Sequence, residues 1–309
     1  MSERKITIGS DPEYFILNKV TGNLVSAIPL IKGDKQTPTT LPSGGNIQSD
    51  NVAVEFATLP AKSTAEFITN LKSSLIDTIN ILPENHELAV LPSATFSPEE
   101  LNDPRAKQFG CSPDYCAWDL VENEPPTADD PTFRSCGGHI HIGCLDENGE
   151  MTHEDASFLL DPMGKVLMVR GMDLFHGIIS TVLDCSEEAI ARRKLYGKAG
   201  CHRPTPYGVE YRTLSNYWTK SPTLSMLMSS LADVVVDLIV EGELEKIIDE
   251  VGPDTIREII NTGDVSSAEA VMDNVLMNYL NEDSRIYLKD SLSAIEKENS
   301  LMKAWAINS

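Results

Sequence analysis

The sequence predicts an α+β fold built around a mainly antiparallel β-sheet. Several short segments before residue 221 are rich in β-branched and aromatic residues and are bounded by Gly, Pro or Asn, as strands usually are. In three of these segments ionisable side chains alternate with apolar ones, which is the period of a strand with two different faces. After Ser221 the apolar residues follow helical spacing to the end of the chain.

The composition limits the kinds of partner. The chain has 309 residues, of which 47 are acidic and 25 basic, so its formal charge is −22. Nucleic acids and anionic membranes attract basic surfaces, so neither is an expected partner. No apolar run approaches the roughly 20 residues that span a bilayer. Because no signal peptide precedes the six cysteines, we expect a soluble cytoplasmic protein with free thiols.

The N-terminal region is predicted to be sheet with one helix. The first strand is interrupted at Gly9 and Pro12, and its return strand forms a hairpin. Ser63 and Glu66 form a capping box for an amphipathic helix that runs to about Asn80. The predicted strands of this region cover residues 5–17, 22–28, 50–58 and 86–96.

The central region begins with a long segment rich in Pro, Asp and Asn, residues 97–131, which predicts a loop of the kind that often carries function. Residues 133–144 are predicted to form a strand. The next segment is predicted to be a helix that starts at Thr152 and is kinked near Pro162.

Residues 191–218 change character abruptly, because they form a Gly- and Pro-rich stretch that leads into the short strand VEYRTL. Five basic side chains are crowded into the part before this strand, in a chain that has few others; they are Arg192, Arg193, Lys194, Lys198 and Arg203. The break near Gly242 is the plausible domain boundary. It divides the chain into a main domain, residues 1–242, and a C-terminal helical extension, residues 243–309.

The stretch GGHIHIG, residues 137–143, holds two histidines one residue apart. In a strand His139 and His141 point to one face, and Ile140 and Ile142 to the other. A core strand with two satisfied histidines is one interpretation. The neighbouring glycines favour another, in which a ligand approaches the backbone closely.

Two other strands show the same alternation. Asp11 and Glu13 share a face in GSDPEYF, and Glu210 and Arg212 share a face in GVEYR, while Glu55 interrupts an apolar strand. Such groups are expensive to bury unless a metal, an opposite charge or water satisfies them. A solvated strand face is the simpler alternative for each pair.

Together these residues make an oxygen-rich set of candidate metal ligands. Carboxylates suit Mg²⁺ or Mn²⁺, whereas a zinc site would use more histidine or cysteine. Divalent ions held in this way bind polyphosphates, and Arg203 and Arg212 could neutralise phosphoryl oxygens. The sequence contains neither a P-loop nor a kinase signature. The candidate ligands are Asp11, Glu13, Glu55, His139 and Glu210.

The ordered motifs Asp11-Pro-Glu13, Glu55, His139-Ile-His141 and Glu210-Tyr-Arg212 resemble those of the glutamine synthetase and γ-glutamylcysteine ligase superfamily. Among its members the sequence looks most like the phage-encoded type 2 amidoligases, over roughly residues 5–220. The resemblance implies a curved antiparallel sheet whose concave face forms a funnel, with helices on the convex face and ATP entering at one end. A phage protein would act in the host cytoplasm.

The resemblance also implies roles for individual residues. Glu13 and Glu55 would bind one metal ion. One of the metal sites would draw on a further acidic ligand, for which Asp50 and Glu66 are weak candidates. Asp11, His139 and Glu210 would bind another that bridges the phosphates of ATP. Lys198 and His141 would lie near the nucleotide, and Arg203 and Arg212 would contact the transferring phosphoryl group. The implied cofactors are therefore ATP and two or more Mg²⁺ or Mn²⁺ ions.

The activity implied is ATP-dependent formation of an amide or isopeptide bond through an acyl phosphate. The substrates would be small-molecule or peptide carboxylates and amines, selected by the 97–131 loop and by side chains around Tyr207, Tyr217 and Trp218. A metal-dependent hydrolase or cupin-type enzyme is an alternative, with His176 or His202 as the further histidine. A non-catalytic binding protein on a ligase fold is another. The oligomeric state is left open.

Overall fold

The computed structural model of the chain describes residues 4–107, 114–124, 129–146, 148–294 and 300–307. Two sheets and a set of helices make up this part of the chain. The strands are β1 Thr7–Asn18, β2 Leu24–Val25, β3 Thr39–Thr40, β4 Asn46–Asp50, β5 Ala53–Ala57, β6 His86–Ala89, β7 Ser93–Thr95, β8 Tyr115–Cys116, β9 Val121–Glu122, β10 Phe133–Ser135, β11 Gly138–Gly143, β12 Cys201–Thr205 and β13 Gly208–Tyr211. The α-helices are α1 Thr64–Ile81, α2 Pro162–Met172, α3 Ile178–Leu183, α4 Glu187–Leu195, α5 Pro222–Val240, α6 Leu244–Val251, α7 Pro253–Thr262, α8 Val265–Asn274, α9 Glu282–Ala294 and α10 Leu301–Ala304.

The main sheet has eleven strands in the described residues, in the order β3-β4-β5-β1-β11-β13-β12-β8-β9. Its paired strands are antiparallel, and β2 and β6 also pair with the C-terminal half of β1. The mixed helix and strand fold with a large antiparallel sheet is therefore confirmed. The 12-residue strand β1 organises it, because its N-terminal half pairs with β11 and its middle with β5.

The two faces of the central strands differ as the alternation predicted. Ile140 and Ile142 are fully buried in a core that includes Met168, Val169 and Phe175 from the helical segment that begins with α2. The imidazoles of His139 and His141 both approach Asp11, on the other face. The apolar face of the sheet thus packs on helices, and its ionisable face is left for chemistry.

The helix predicted to start at Thr152 is broken and not kinked. A 3₁₀ turn, Glu154–Leu160, follows His153, and α2 begins separately at Pro162. Asp161 has an extended backbone, and its carboxylate accepts hydrogen bonds from the amides of Met163 and Gly164. Pro162 fits the first helical position because that position needs no amide hydrogen. The capping box of α1 is confirmed, since Ser63 Oγ accepts a hydrogen bond from Glu66 N at 3.2 Å.

The basic segment is not one loop. Arg192, Arg193 and Lys194 lie on α4, which Ser186 caps, and Glu187 and Glu188 fill its first turn. Acidic side chains favour a helix N-terminus and basic ones its C-terminus. Arg192 and Arg193 are buried and donate hydrogen bonds to backbone carbonyls, those of Thr213, Arg212, Ser180 and Asp184.

Two helical segments, Pro162–Leu183 and Pro222–Val240, are long and apolar enough to cross a membrane. The expectation that no apolar run approaches that length was therefore wrong. Inside this structure 89% and 61% of their most apolar stretches are buried by the rest of the chain. A helix that is apolar all round is also typical of the core of a large protein.

The C-terminal helices pack against the earlier part of the chain. Trp305 is buried and donates a hydrogen bond from its indole to Thr219 O at 2.8 Å. Ile256 and Ile260 belong to the same apolar core as the sheet. The boundary at residue 242 stays a prediction. The six predicted free thiols are confirmed for the five cysteines described, and Cys111 lies outside the described residues.

Candidate active site

Glu13 and Glu55 are direct cross-strand partners on β1 and β5, and Asp50 at the end of β4 joins them. Each of the three carboxylates has an oxygen within 4.8 Å of the others, and this set is called the Glu13 group below. Two donors hold it in place. Gln48 Nε2 donates to Glu55 Oε2 at 2.7 Å, and the amide of Gly137 donates to Glu13 Oε2 at 2.7 Å.

The Glu13 group is electrostatically unfavourable as a cluster of bare carboxylates. Burial, followed by the charges of Asp11, Asp50 and Glu13, raises the pKa of Glu55 well above its usual range. Burial also raises the pKa of Glu13. Three carboxylates this close are stable together only if protons or a cation reduce their repulsion.

A second group of potential ligands comprises Asp11, His141 and Glu210, with donor atoms within 4.8 Å of one another; it is called the Asp11 group. Asp11 Oδ1 lies 3.2 Å from His141 Nε2 and 3.2 Å from His139 Nδ1. Burial opposes ionisation of Asp11, but the charges of His141 and then His139 hold its pKa well below the usual range. Burial lowers the pKa of His141, but the charge of Asp11 outweighs this and raises it overall.

Two atoms of the Asp11 group are buried without an aligned hydrogen-bond partner among the described residues: Asp11 Oδ1 and His141 Nε2. Buried polar atoms normally have a partner, so an absent partner is a sign of a ligand. His139 Nδ1 also lies 3.5 Å from Glu210 Oε1. Its other ring nitrogen lies against Gly137, where a Cβ would collide with the imidazole. Gly137 is therefore needed for the position of this ring.

Two arginines converge on Glu210. Arg203 Nη1 lies 3.0 Å from Glu210 Oε2, and Arg212 Nη1 donates a short hydrogen bond to Glu210 Oε1. Arg212 Nε also lies 3.7 Å from Asp114 Oδ2. Burial and the charge of Asp11 raise the pKa of Glu210, but Arg212 and the two imidazoles lower it overall. The guanidinium groups thus border the Asp11 group.

A cavity of about 510 Å³ opens beside His141. Its lining is mostly apolar and includes Pro60, Leu145 and Tyr207. The hydroxyl of Tyr207 is 2.7 Å from His141 Nδ1, and the two rings are stacked with an interplanar angle of 30°. Ser10 also lines the cavity, and its buried Oγ has no hydrogen-bond partner in the described part of the chain.

Lys198 is exposed, and its role near the nucleotide stays a prediction. Glu66 is engaged at the start of α1, where its carboxylate accepts a hydrogen bond from Lys62 N. Tyr217 and Trp218 are buried in the core, so they are not exposed for the predicted selection of substrate. Both rings are part of the hydrophobic core that packs on the apolar face of the sheet.

The further histidine required by the hydrolase alternative is not found beside the pair. His176 is fully buried among helices and contacts Met228 O, and His202 contacts Gly200 O on a strand position opposite Tyr211. Cys136 and Cys201 are buried. Burial raises the pKa of Cys136 well above its usual range and that of Cys201 to about 12, which disfavours their reaction.

Sequence reasoning missed two contributors. Gln48 shares a face with Asp50 in the alternating strand β4, and this alternation was the signal that could have identified Gln48. Asp114 lies in a predicted loop, where no periodicity marks it. The loop is partly structured, but residues 108–113 and 125–128 of it lie outside the described residues.

Residues 130–251, which contain β11, β12 and β13, match the family described as "Phage phiEco32-like COOH.NH2 ligase-type 2". The match covers less than half of the chain, and over these residues the chain is similar to this family. The family recognised from the sequence motifs is thereby confirmed. The ligase match includes His139, His141, Arg203, Glu210 and Arg212, and it does not extend to β1 or β5.

Two solved structures align with most of this chain. A bifunctional glutathione synthetase from Pasteurella multocida aligns with 98% of this chain at 13% identity and a TM-score of 0.48. This chain covers 48% of that protein, about half its length. A novel glutamine synthase homolog aligns with 92% of this chain, and 71% of its own length is covered, at 11% identity and a TM-score of 0.35. None of the curated proteins matches the chain.

Proposed function

We propose that the protein is an ATP-dependent carboxylate-amine ligase that forms an amide or isopeptide bond through an acyl phosphate. One observation carries the proposal: two groups of potential metal ligands lie on one face of the sheet, and Arg203 and Arg212 border the Asp11 group. This combination of acidic ligands and guanidinium groups suits transfer of a phosphoryl group from a metal-bound polyphosphate.

The residues fit Mg²⁺ or Mn²⁺. The Glu13 group supplies carboxylate oxygens only, and the Asp11 group supplies two carboxylates and one imidazole. Such hard donors suit these ions better than zinc. Asp11 Oδ1 and His141 Nε2 are buried and face each other at 3.2 Å without aligned hydrogen-bond geometry, so a cation bound there would be ligated by both atoms. When bound, the ions would neutralise charge on the phosphates of ATP.

The chemistry needs little covalent participation by the protein. An oxygen of the substrate carboxylate attacks the γ-phosphorus, the bond to the β,γ-bridging oxygen breaks, and ADP leaves. The amine nitrogen then attacks the acyl carbon, phosphate leaves, and the nitrogen loses a proton. Arg203 and Arg212 would reduce the repulsion between the anionic nucleophile and ATP. No cysteine is required, in agreement with the burial of Cys136 and Cys201.

The cavity beside His141 is the best candidate for the base of the nucleotide. A flat apolar ligand suits its lining, and Tyr207 offers an aromatic ring for stacking. A nucleotide bound there would direct its phosphates toward the Asp11 group, since His141 belongs to both.

The test is phosphate release from ATP and Mg²⁺ in the presence of mixed amino acids and polyamines. Release should require both a carboxylate and an amine, and Glu210→Gln should abolish turnover because it removes a ligand and the partner of both arginines. Glu269→Gln, an exposed change on α8, is the matched control and should retain full activity. A folded wild-type protein that fails to bind ATP would refute the ligase.

The non-catalytic alternative is tested by the same pair of variants. A binding protein on a ligase fold would tolerate Glu210→Gln, because turnover would play no part in its function. Under the ligase proposal the variant loses function in the cell as well as in the assay.

A further inference from the structure

We propose that Asp173 is a positioning residue of the ligase site, because its one carboxylate anchors both Tyr211 on β13 and Trp118 beside β8. The inference rests on the proposed function. Asp173 begins a π-helical turn, Asp173–Gly177, inserted between α2 and α3. Turns of this kind are rare and are frequently associated with functional sites.

The carboxylate of Asp173 is fully buried and is surrounded by donors. Oδ1 accepts a hydrogen bond from the Tyr211 hydroxyl at 2.8 Å, and the Thr213 hydroxyl lies 3.3 Å from the same oxygen. Oδ2 accepts a hydrogen bond from the Trp118 indole at 2.6 Å. Because these described partners are donors, an acceptor-only group satisfies them and an amide does not.

The first anchor acts on β13. Tyr211 lies between Glu210 and Arg212, and its side chain points to the opposite face, into the core. A fixed Tyr211 therefore fixes the strand position from which Glu210 and Arg212 project into the site. The backbone on this side is braced further, since Arg192 donates hydrogen bonds to Arg212 O and Thr213 O.

The second anchor acts on the segment that begins at Asp114. Trp118 lies just after β8, and Arg170 contributes a second restraint there, because its Nε donates to Ala117 O and its guanidinium lies over the Trp118 ring. Asp114, just before β8, faces Arg212 Nε at 3.7 Å. Arg212 is thus flanked by Glu210 and Asp114. Glu210 is tied to Asp173 through the adjacent Tyr211, and Asp114 through Trp118, which lies four residues later at the other end of β8.

Burial raises the pKa of Asp173 to about 6, so the carboxylate is mainly ionised at pH 8. Replacing it by asparagine places an NH₂ group among donors and should loosen both anchors. Loss of a residue that orients a ligand typically costs about 10–100-fold in affinity or activity. The variant should lose the affinity contributed by the γ-phosphate, which Arg212 would contact, and keep the affinity contributed by the base.

The experiment compares the affinities of Mg²⁺·ADP and of Mg²⁺·AMP-PNP, a non-hydrolysable ATP analogue, by calorimetry at pH 8. Wild-type protein should bind AMP-PNP more tightly than ADP. Asp173→Asn should bind ADP as tightly as wild type but lose most of the additional affinity for AMP-PNP. Tyr211→Phe, which removes one donor and keeps the ring, should lose part of this additional affinity. Asp184→Asn is the matched control, because Asp184 is also buried but bonds to Ser215, outside this network.

The outcomes separate the two proposals. A wild-type protein that binds neither nucleotide refutes the proposed function. Equal wild-type affinity for both nucleotides, or an undiminished gain in Asp173→Asn, overturns the role of Asp173. If Asp173→Asn does not fold, Tyr211→Phe decides, because an unchanged gain in that folded variant contradicts the anchoring of β13. A similar loss in Asp184→Asn would also overturn it, by showing that any buried change has this effect.

Discussion

His141 Nε2 lies 3.2 Å from Asp11 Oδ1, and His139 Nδ1, two residues earlier on the same face of β11, lies 3.2 Å from the same oxygen. Asp11 and His139 are directly paired in the register of β1 and β11, so the carboxylate is held between two imidazoles on one face. The sequence motif assigned metal binding to His139 and nucleotide contact to His141. The compact set of donor atoms includes His141 instead.

His141→Asn is expected to weaken binding of one Mn²⁺ ion more than His139→Asn does. His141 Nε2 is buried without an aligned partner in the described residues, whereas His139 Nδ1 also lies 3.5 Å from Arg212 Nη1, a cation that opposes metal binding there. Removing a direct ligand should cost at least about the tenfold seen for residues that orient ligands. Electron paramagnetic resonance titration of Mn²⁺ measures this. His153→Asn is the control, because His153 is half-buried at the N-cap of the 3₁₀ turn Glu154–Leu160 and belongs to neither ligand group. A larger loss in His139→Asn would restore the assignment made from the motif.

The pairing of ionisable residues on strands could be predicted from sequence, because side chains on a strand alternate with a period of two. Asp11 with Glu13, and His139 with His141, follow from spacing alone. The cross-strand pairing of Glu13 with Glu55 does not, since it depends on a register between strands far apart in sequence. Asp50 was only a weak candidate for the same reason: its strand aligns with β5 through long-range pairing.

Elements that depend on tertiary packing could not be predicted. Trp218 was expected near substrate but lies in the core, where its indole donates to Gly138 O at 3.0 Å. Arg192 and Arg193 were expected in a basic loop because of the composition of residues 191–218. They instead donate hydrogen bonds to buried backbone carbonyls. The π turn at Asp173 has no sequence signature, because one extra residue in a helical turn does not alter apolar spacing enough to be seen.

Tyr207→Ala is expected to reduce the affinity for ATP about tenfold, because stacking of a base on an aromatic ring contributes about 1–3 kcal/mol. Tyr207 lines the cavity beside His141 and is partly exposed, so the change should leave the fold intact. Tyr279→Ala is a matched control, since Tyr279 has the same exposed fraction, 37%, on a C-terminal turn. Equal ATP affinity in wild type and Tyr207→Ala would exclude the cavity as the base site.

His176 should make the protein sensitive to acid. Burial lowers the pKa of His176 from 6.5 to about 4, and its Nδ1 is buried without a partner among the described residues. Between these two pH values the unfolded chain binds more protons than the folded chain, so stability falls as the pH falls from 6.5 to 4. With about 1.4 kcal/mol for each pKa unit, the contribution at stake is about 3 kcal/mol.

His176→Gln isolates this contribution, because glutamine can still donate to Met228 O, the partner of His176 Nε2 at 2.9 Å, but does not titrate. Asp173 acts in the opposite direction, since its raised pKa of about 6 adds stability as the pH falls toward 3.8. The difference between wild type and His176→Gln removes this opposing term, because both proteins retain Asp173. Urea unfolding at pH values from 7 to 4.5 should show a variant whose stability falls less steeply than that of wild type. Parallel curves would mean that the pKa of His176 is the same in the folded and the unfolded chain, and would contradict the lowering of this pKa by burial.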